Sequence, residues 1–169
     1  MINSKKWTVA VRALVWTTFG IYCFFLLKLL FLEGRVVRHD LNVIAYLKHS
    51  NWIPMRTIVG YFQKLSEGRI NTDTVVRNIL GNLVVFLPMG CYLPCLGCFF
   101  RSKGRCLTVL LGMIVSVEIL QILLRIGFFD VDDILFNFLG GLVGVMLVSM
   151  APLQRWLKRL SVIPQTGEK

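Results

Sequence analysis

Acidic side chains are scarce in this sequence: nine Asp and Glu stand against nineteen Lys and Arg in 169 residues, and histidine occurs twice. Charged residues of either sign make up 17% of the chain and hydrophobic ones 56%, the latter in long blocks that are not broken by regular charge. This patterning excludes an ordinary soluble core and points to an integral membrane protein. The five cysteines are odd in number and lie mostly in apolar blocks, which argues against a disulfide framework. Cys91, Cys95 and Cys98 share a helix face at i, i+4 and i+7, a spacing that a metal or redox site could use. With neither histidine near them in sequence, they read as small buried hydrophobes. No period of 20 to 50 residues is visible, so a repeat architecture is excluded as well.

What is present is four blocks of about 20 residues, at roughly 9–32, 79–100, 105–124 and 134–153, each long enough to cross a hydrocarbon core of about 30 Å as a helix. The expected fold is an all-α membrane bundle of four spans in one domain, residues 1–160, with a cytoplasmic tail at 161–169. The first block follows Lys5 and Lys6 but shows no small-residue cleavage site, and it is read as a retained span.

A net charge of +10 would suggest nucleic acid in a soluble chain, but the charge forms no single patch. Lys5, Lys6 and Arg12 precede or enter the first block, Arg101, Lys103 and Arg105 crowd the short link between the second and third, and Arg155, Lys158 and Arg159 follow the fourth. Those three regions share one side in a four-span chain, so the positive-inside rule places them, and both termini, in the cytoplasm. The long link over 33–77 then lies outside, although it carries seven Lys and Arg. Nucleic acid is not an expected partner.

Within that link, Met55, Ile58, Val59, Phe62 and Leu65 recur at helical spacing with Arg56, Gln63 and Lys64 opposite, predicting an interfacial helix with Pro54 in its first turn. His39 and His49 read as solvated loop residues. The second span carries Pro88 and Pro94, which free the carbonyls of Val84 and Gly90 and predict kinks or breaks. In the fourth span Gly140, Gly141 and Gly144 permit close approach of another helix.

Polar residues recur at helical spacing near the same expected end of three spans: Asn78 and Asn82, then Glu118 and Gln121 with Arg125 beyond, then Asp133 and Asn137 on the glycine face. An ionised Glu inside a span costs about 2.5 to 3.5 kcal/mol, so Glu118 must face the bundle, pair, or be protonated. Two readings stand: an outward-facing polar pocket with Glu118 and Gln121 as its floor and Asp130, Asp132 and Asp133 as its rim, or a buried hydrogen-bond cluster between helices. Asp133 and Asn137 are expected to point at Asn82 and Glu118. Asp132, about 100° round the helix, belongs nearer the edge, and Asp130 reads equally as a solvated loop residue.

On these residues the chain resembles the VanZ-like family of small bacterial membrane proteins, named for a component of teicoplanin-type glycopeptide resistance. The resemblance runs over about 51–144: N-x-I-P at Asn51 to Pro54; Asn82, Phe86, Pro88 and Gly90 as N-x-x-x-F-x-P-x-G; Glu118 and Gln121 as E-x-x-Q; and Asp130, Asp132, Asp133, Asn137, Gly140 and Gly141 as D-x-D-D-x-x-x-N-x-x-G-G. Members often carry an Arg just before the first Asp. Here Phe128 and Phe129 stand there, so that residue's role is not carried over. The resemblance implies a multi-pass protein of the bacterial plasma membrane, connected with the cell envelope and glycopeptide resistance. The partners it suggests are membrane lipids and a lipid-linked cell-wall precursor or a glycopeptide. A rival reading is a membrane-embedded enzyme or a transporter acting on a lipid-linked substrate through Glu118, Asp132 and Asp133, and a four-span transporter would need homo-oligomers. Oxygen donors alone do not specify a metal, and none is assigned. No cofactor is indicated.

Overall fold

The long apolar blocks become long helices. The computed structural model describes residues 4–33, 43–160 and 162–163. Its helices are α1 (Ser4–Phe31), α2 (Val43–His49), α3 (Arg56–Ser66), α4 (Thr72–Tyr92), α5 (Lys103–Leu123), α6 (Val131–Ser149) and α7 (Ala151–Arg159). Four of these, α1, α4, α5 and α6, contain stretches long and apolar enough to cross a membrane. The only β pairing among the described residues is a single bridge between Asn51 and Asp130. The architecture is an all-α membrane bundle. His39 and Asp40 lie outside the described residues.

Two spans end earlier than hydropathy alone predicts. The second span, α4, stops at Tyr92, and two short 3-10 turns follow, Leu93–Cys95 and Cys98–Arg101. Pro94 has no N–H with which to continue the α-helical ladder. The same helix starts at Thr72, before the apolar block, with Asp73 and Arg77 paired one turn apart on its exposed face. The fourth stops at Ser149, where Met150 takes an extended conformation (φ −62°, ψ 133°), and Pro152 sits in the first turn of α7, the position a helix tolerates best. Ile163, in the expected tail, is buried.

Pro88 does not break α4, which runs through it to Tyr92. The neighbouring helix α1 reaches the adjacent position, where the Tyr22 hydroxyl donates to the Val85 carbonyl at 2.8 Å, one residue from the Val84 carbonyl that Pro88 deprives of its helical donor. Tyr22 also stacks on Tyr92, with ring centroids 5.7 Å apart. Pro54 lies just before α3 and not in its first turn, because Met55 in between adopts a left-handed conformation (φ 68°).

The tightest packing is between α4 and α6, which lie side by side and run in the same direction. A Cβ added at Gly140 would overlap the Leu83 carbonyl, one at Gly90 the Gly141 carbonyl, and one at Gly144 the Leu87 carbonyl while standing 2.9 Å from the Cys91 nitrogen. Gly141 in turn leaves room for the Leu110 side chain of α5. Backbone therefore meets backbone along this seam, as small-residue interfaces permit in membranes. Phe86, Met89, Leu110, Ile114 and Val145 fill the core beside it. Cys91 uses the same closeness to donate from Sγ to the Gly144 carbonyl at 3.6 Å, and all five cysteines are free thiols.

Candidate functional site

The segment joining α5 to α6 begins with a helix end. Gln121 and Ile122 offer their carbonyls to the amides of Ile126 and Arg125, both at 3.0 Å, with Arg125 left-handed (φ 59°). This is a Schellman stop, with arginine where glycine is usual. The turn brings Phe129 and Asp130 alongside residues 50 and 51 of the link. Asn51 N–H donates to the Phe129 carbonyl at 2.7 Å, Val131 N–H to the Asn51 carbonyl at 3.0 Å, and Phe129 N–H to Ser50 Oγ at 3.0 Å. Trp52 stacks on Phe129 with centroids 4.4 Å apart.

Onto this staple the three aspartates add distinct connections. Asp130 caps α6, accepting from Asp132 N–H at 2.8 Å, and also accepts from Asn51 Nδ2 at 2.9 Å and the Thr57 hydroxyl at 2.5 Å. Asp132 reaches the N-terminus of α3, where it accepts from the amides of Met55, Thr57 (2.8 Å) and Ile58 (3.4 Å). Met55 has no side-chain oxygen with which to cap the helix, so a carboxylate from α6 fills the role and meets the positive end of the helix dipole. Asp133 accepts from Asn82 Nδ2, tying α6 to α4.

Asp132 is thus not at the edge, where helical angle alone places it. It is 1% exposed, because α3 covers that side of α6. Asp130 is likewise no free loop residue. Glu118, 4% exposed within α5, has Oε2 3.3 Å from the Asp130 amide. Gln121 turns to α1 and donates to the Leu30 carbonyl at 2.9 Å. Asn78 does not join the group: it is exposed and donates to Thr74 of its own helix. Asn137 lies on the glycine face, 4% exposed, and its Oδ1 accepts no hydrogen bond among the described residues. A buried, unsatisfied carbonyl of this kind costs about 1 to 3 kcal/mol.

Asn82, Glu118, Asp130, Asp132 and Asp133 therefore come together as a packed, hydrogen-bonded cluster. The open space lies beside it: a cleft of about 540 Å³ between α2 and α3 that touches the cluster at Asn51 and Thr57. Tyr61 lines this cleft, and burial together with the Asp133 and Asp130 charges pushes its phenol pKa up, so it stays a neutral donor. Thr57 and Tyr61 were not among the residues singled out from the sequence. Asn51 was seen only as part of N-x-I-P, a motif whose side-chain role is to bridge to Asp130. Among the described residues no three His, Cys, Asp or Glu side chains converge as metal ligands.

A model of the VanZ/LLP1 family matches residues 19–152, from the middle of α1 to the start of α7. Searches of curated proteins and of solved structures returned no match. The matched stretch contains every hydrogen bond of the cluster and the whole α4–α6 glycine seam, and on that extent the chain belongs to the VanZ/LLP1 family.

Proposed function

We propose that the chain is a bacterial plasma-membrane protein of the cell envelope that lowers susceptibility to teicoplanin-type glycopeptides, acting at the outer leaflet through the end of the bundle where α3 docks. The observation that carries this reading is the convergence of the family's polar motif residues at that one end, within a match that covers the bundle. Lipid-linked wall precursors and glycopeptides meet on the outer leaflet, and either is a suitable partner. The hydrogen bonding favours a role without catalysis, since both oxygens of Asp132 are taken by backbone amides.

The orientation rests on Lys103, Arg105, Lys158 and Arg159 at the opposite end, which the positive-inside rule assigns to the cytoplasm. In a cysteine-free background, Gly104→Cys is expected to resist a membrane-impermeant thiol reagent in intact cells and Gly127→Cys to react. The reverse pattern would overturn the outer-leaflet assignment.

A second reading, catalysis or proton movement on a lipid-linked substrate, has one specific support: a carboxyl group, Glu118, 4% exposed inside a span. Expression in a teicoplanin-susceptible host separates the two. Glu118→Gln is expected to keep the resistance, because the amide oxygen still accepts from Asp130 N–H. Asn137→Leu is expected to weaken it while the thermal stability holds or rises, since the orphaned carbonyl is removed. Loss of resistance in Glu118→Gln at normal membrane levels would favour the second reading, and no resistance from the unaltered chain would end the first.

A further inference from the structure

The cleft between α2 and α3 differs from the carboxylate cluster beneath it in the sign of its charge. Its rim carries Lys48, Arg56 and Lys64, all exposed, and none of the three makes an ion pair among the described residues. Arg56, Gly60 and Lys64 follow one another at i, i+4 and i+8 along α3, a single stripe. Gly60 is central to it, and a Cβ there would meet nothing within 4 Å, so the missing side chain leaves the space between the two cations open. His49, also on the cleft wall, donates from Nδ1 to the Ala45 carbonyl at 2.8 Å. The carboxylates behind the floor keep their charge but turn their oxygens to protein donors, Asp130 to Thr57 and Asn51 and Asp132 to the amides of α3, so the cations on the rim are the charged groups with free donors at the opening.

The same helix shows where this cleft sits. Val59 and Phe62 occupy a neighbouring stripe and are 51% and 58% exposed, and Trp52, Ile53 and Met55 extend that apolar surface. A helix with one stripe buried on the bundle (Ile58), one apolar and exposed, and one cationic lies in the membrane interface with its cations at headgroup depth.

We propose that the α2–α3 cleft binds a phosphate-bearing anion, the phosphodiester of an anionic lipid headgroup, with Arg56 and Lys64 as its principal contacts, Lys48 closing from α2 and Tyr61 donating from the floor. Arg offers a fork of donors to phosphate oxygens and Lys a mobile point charge. Under the proposed orientation this ligand also accounts for cations in a link that the positive-inside rule would otherwise leave poor in them. The site itself depends on neither that orientation nor the resistance role.

The test uses the full chain in detergent, titrated with phosphatidylglycerol and, separately, phosphatidylcholine and inorganic pyrophosphate, with bound ligand counted by native mass spectrometry. The variants are Arg56→Gln with Lys64→Gln, which removes charge, and Gly60→Leu, which fills the space and leaves the charge. Both act on the outward stripe and spare the amides held by Asp132. Lys103→Gln with Arg105→Gln, at the other end of the bundle, is the control. At about 1 kcal/mol per cation, the double variant is expected to bind phosphatidylglycerol about thirty-fold more weakly. Gly60→Leu is expected to weaken it too, with the control unchanged and phosphatidylcholine bound poorly throughout. Saturable pyrophosphate binding that is lost in the same variants would support the site and assign it a soluble ligand. Equal binding by the unaltered chain and both cleft variants, or an equal loss in the control, overturns the proposal.

Discussion

Gly140→Ala is expected to destabilise the bundle by about 3 kcal/mol or more, the upper range of overpacking penalties, because the added methyl would overlap the backbone carbonyl of Leu83 and not a side chain that can turn away. Rotamer changes cannot relieve such an overlap; the α4 and α6 axes must separate along their length. Separation also breaks the Asn82–Asp133 hydrogen bond and the Cys91 contact with Gly144, so the loss is cooperative. Thermal denaturation of the purified protein measures it. Gly81→Ala and Gly112→Ala are the controls, since a Cβ at either position meets nothing within 4 Å, and both are expected to remain within about 0.5 kcal/mol of the unaltered chain. An unchanged melting temperature for Gly140→Ala would mean that the two helices do not pack backbone to backbone.

The second large effect is expected at Asp132. Asp132→Ala strands the amides of Met55, Thr57 and Ile58 without their acceptor. Stranded buried donors cost about 1 to 3 kcal/mol each, and the helix avoids the full cost by lifting off into water and the membrane interface. Hydrogen exchange at the Thr57 and Ile58 amides should therefore accelerate by on the order of a hundredfold, which corresponds to about 3 kcal/mol. Asp132→Asn keeps one acceptor oxygen and should fall between. Asp73→Asn, which removes only an exposed pair with Arg77, should leave those amides slow. Exchange at Thr57 and Ile58 that is indifferent to Asp132→Ala would show that α3 is held by its apolar side alone.

These two sites mark how far the sequence could be read. The four spans follow from block length, and the glycine face of α6 and the direction of Asp133 toward Asn82 follow from helical period, since each depends on a repeat within one segment. Asp132 depends on something no period contains: which piece of chain covers the first turn of α6. Its partner Thr57 is 75 residues away in the link, and angle alone assigned Asp132 to an edge. The same gap explains Asn78, which shares a helix face with Asn82 but is exposed and bonds only within its own helix among the described residues. Pro88 is a further case, because whether a proline breaks a helix depends on how its neighbours pack around it, and here α4 continues to Tyr92. The early ends at Tyr92 and Ser149 were present as Pro94 and Pro152, but the hydropathy of the blocks continues past both.

The glycine seam also orders events during synthesis. Asn82 and Asp133 are 51 residues apart, and all of α5 is made between them. When α4 enters the bilayer its closest partner does not yet exist, so Leu83 and Leu87 face lipid or a transient companion, and Asn82 has no carboxylate. Only when α6 follows can backbone meet backbone, and the same arrival delivers Asp132 to α3. The last span thus completes both the interior of the bundle and the fastening of its surface helix. A nascent chain stopped before residue 131 has neither: its α4 lacks the glycine face it packs on, and its α3 lacks the carboxylate that caps it.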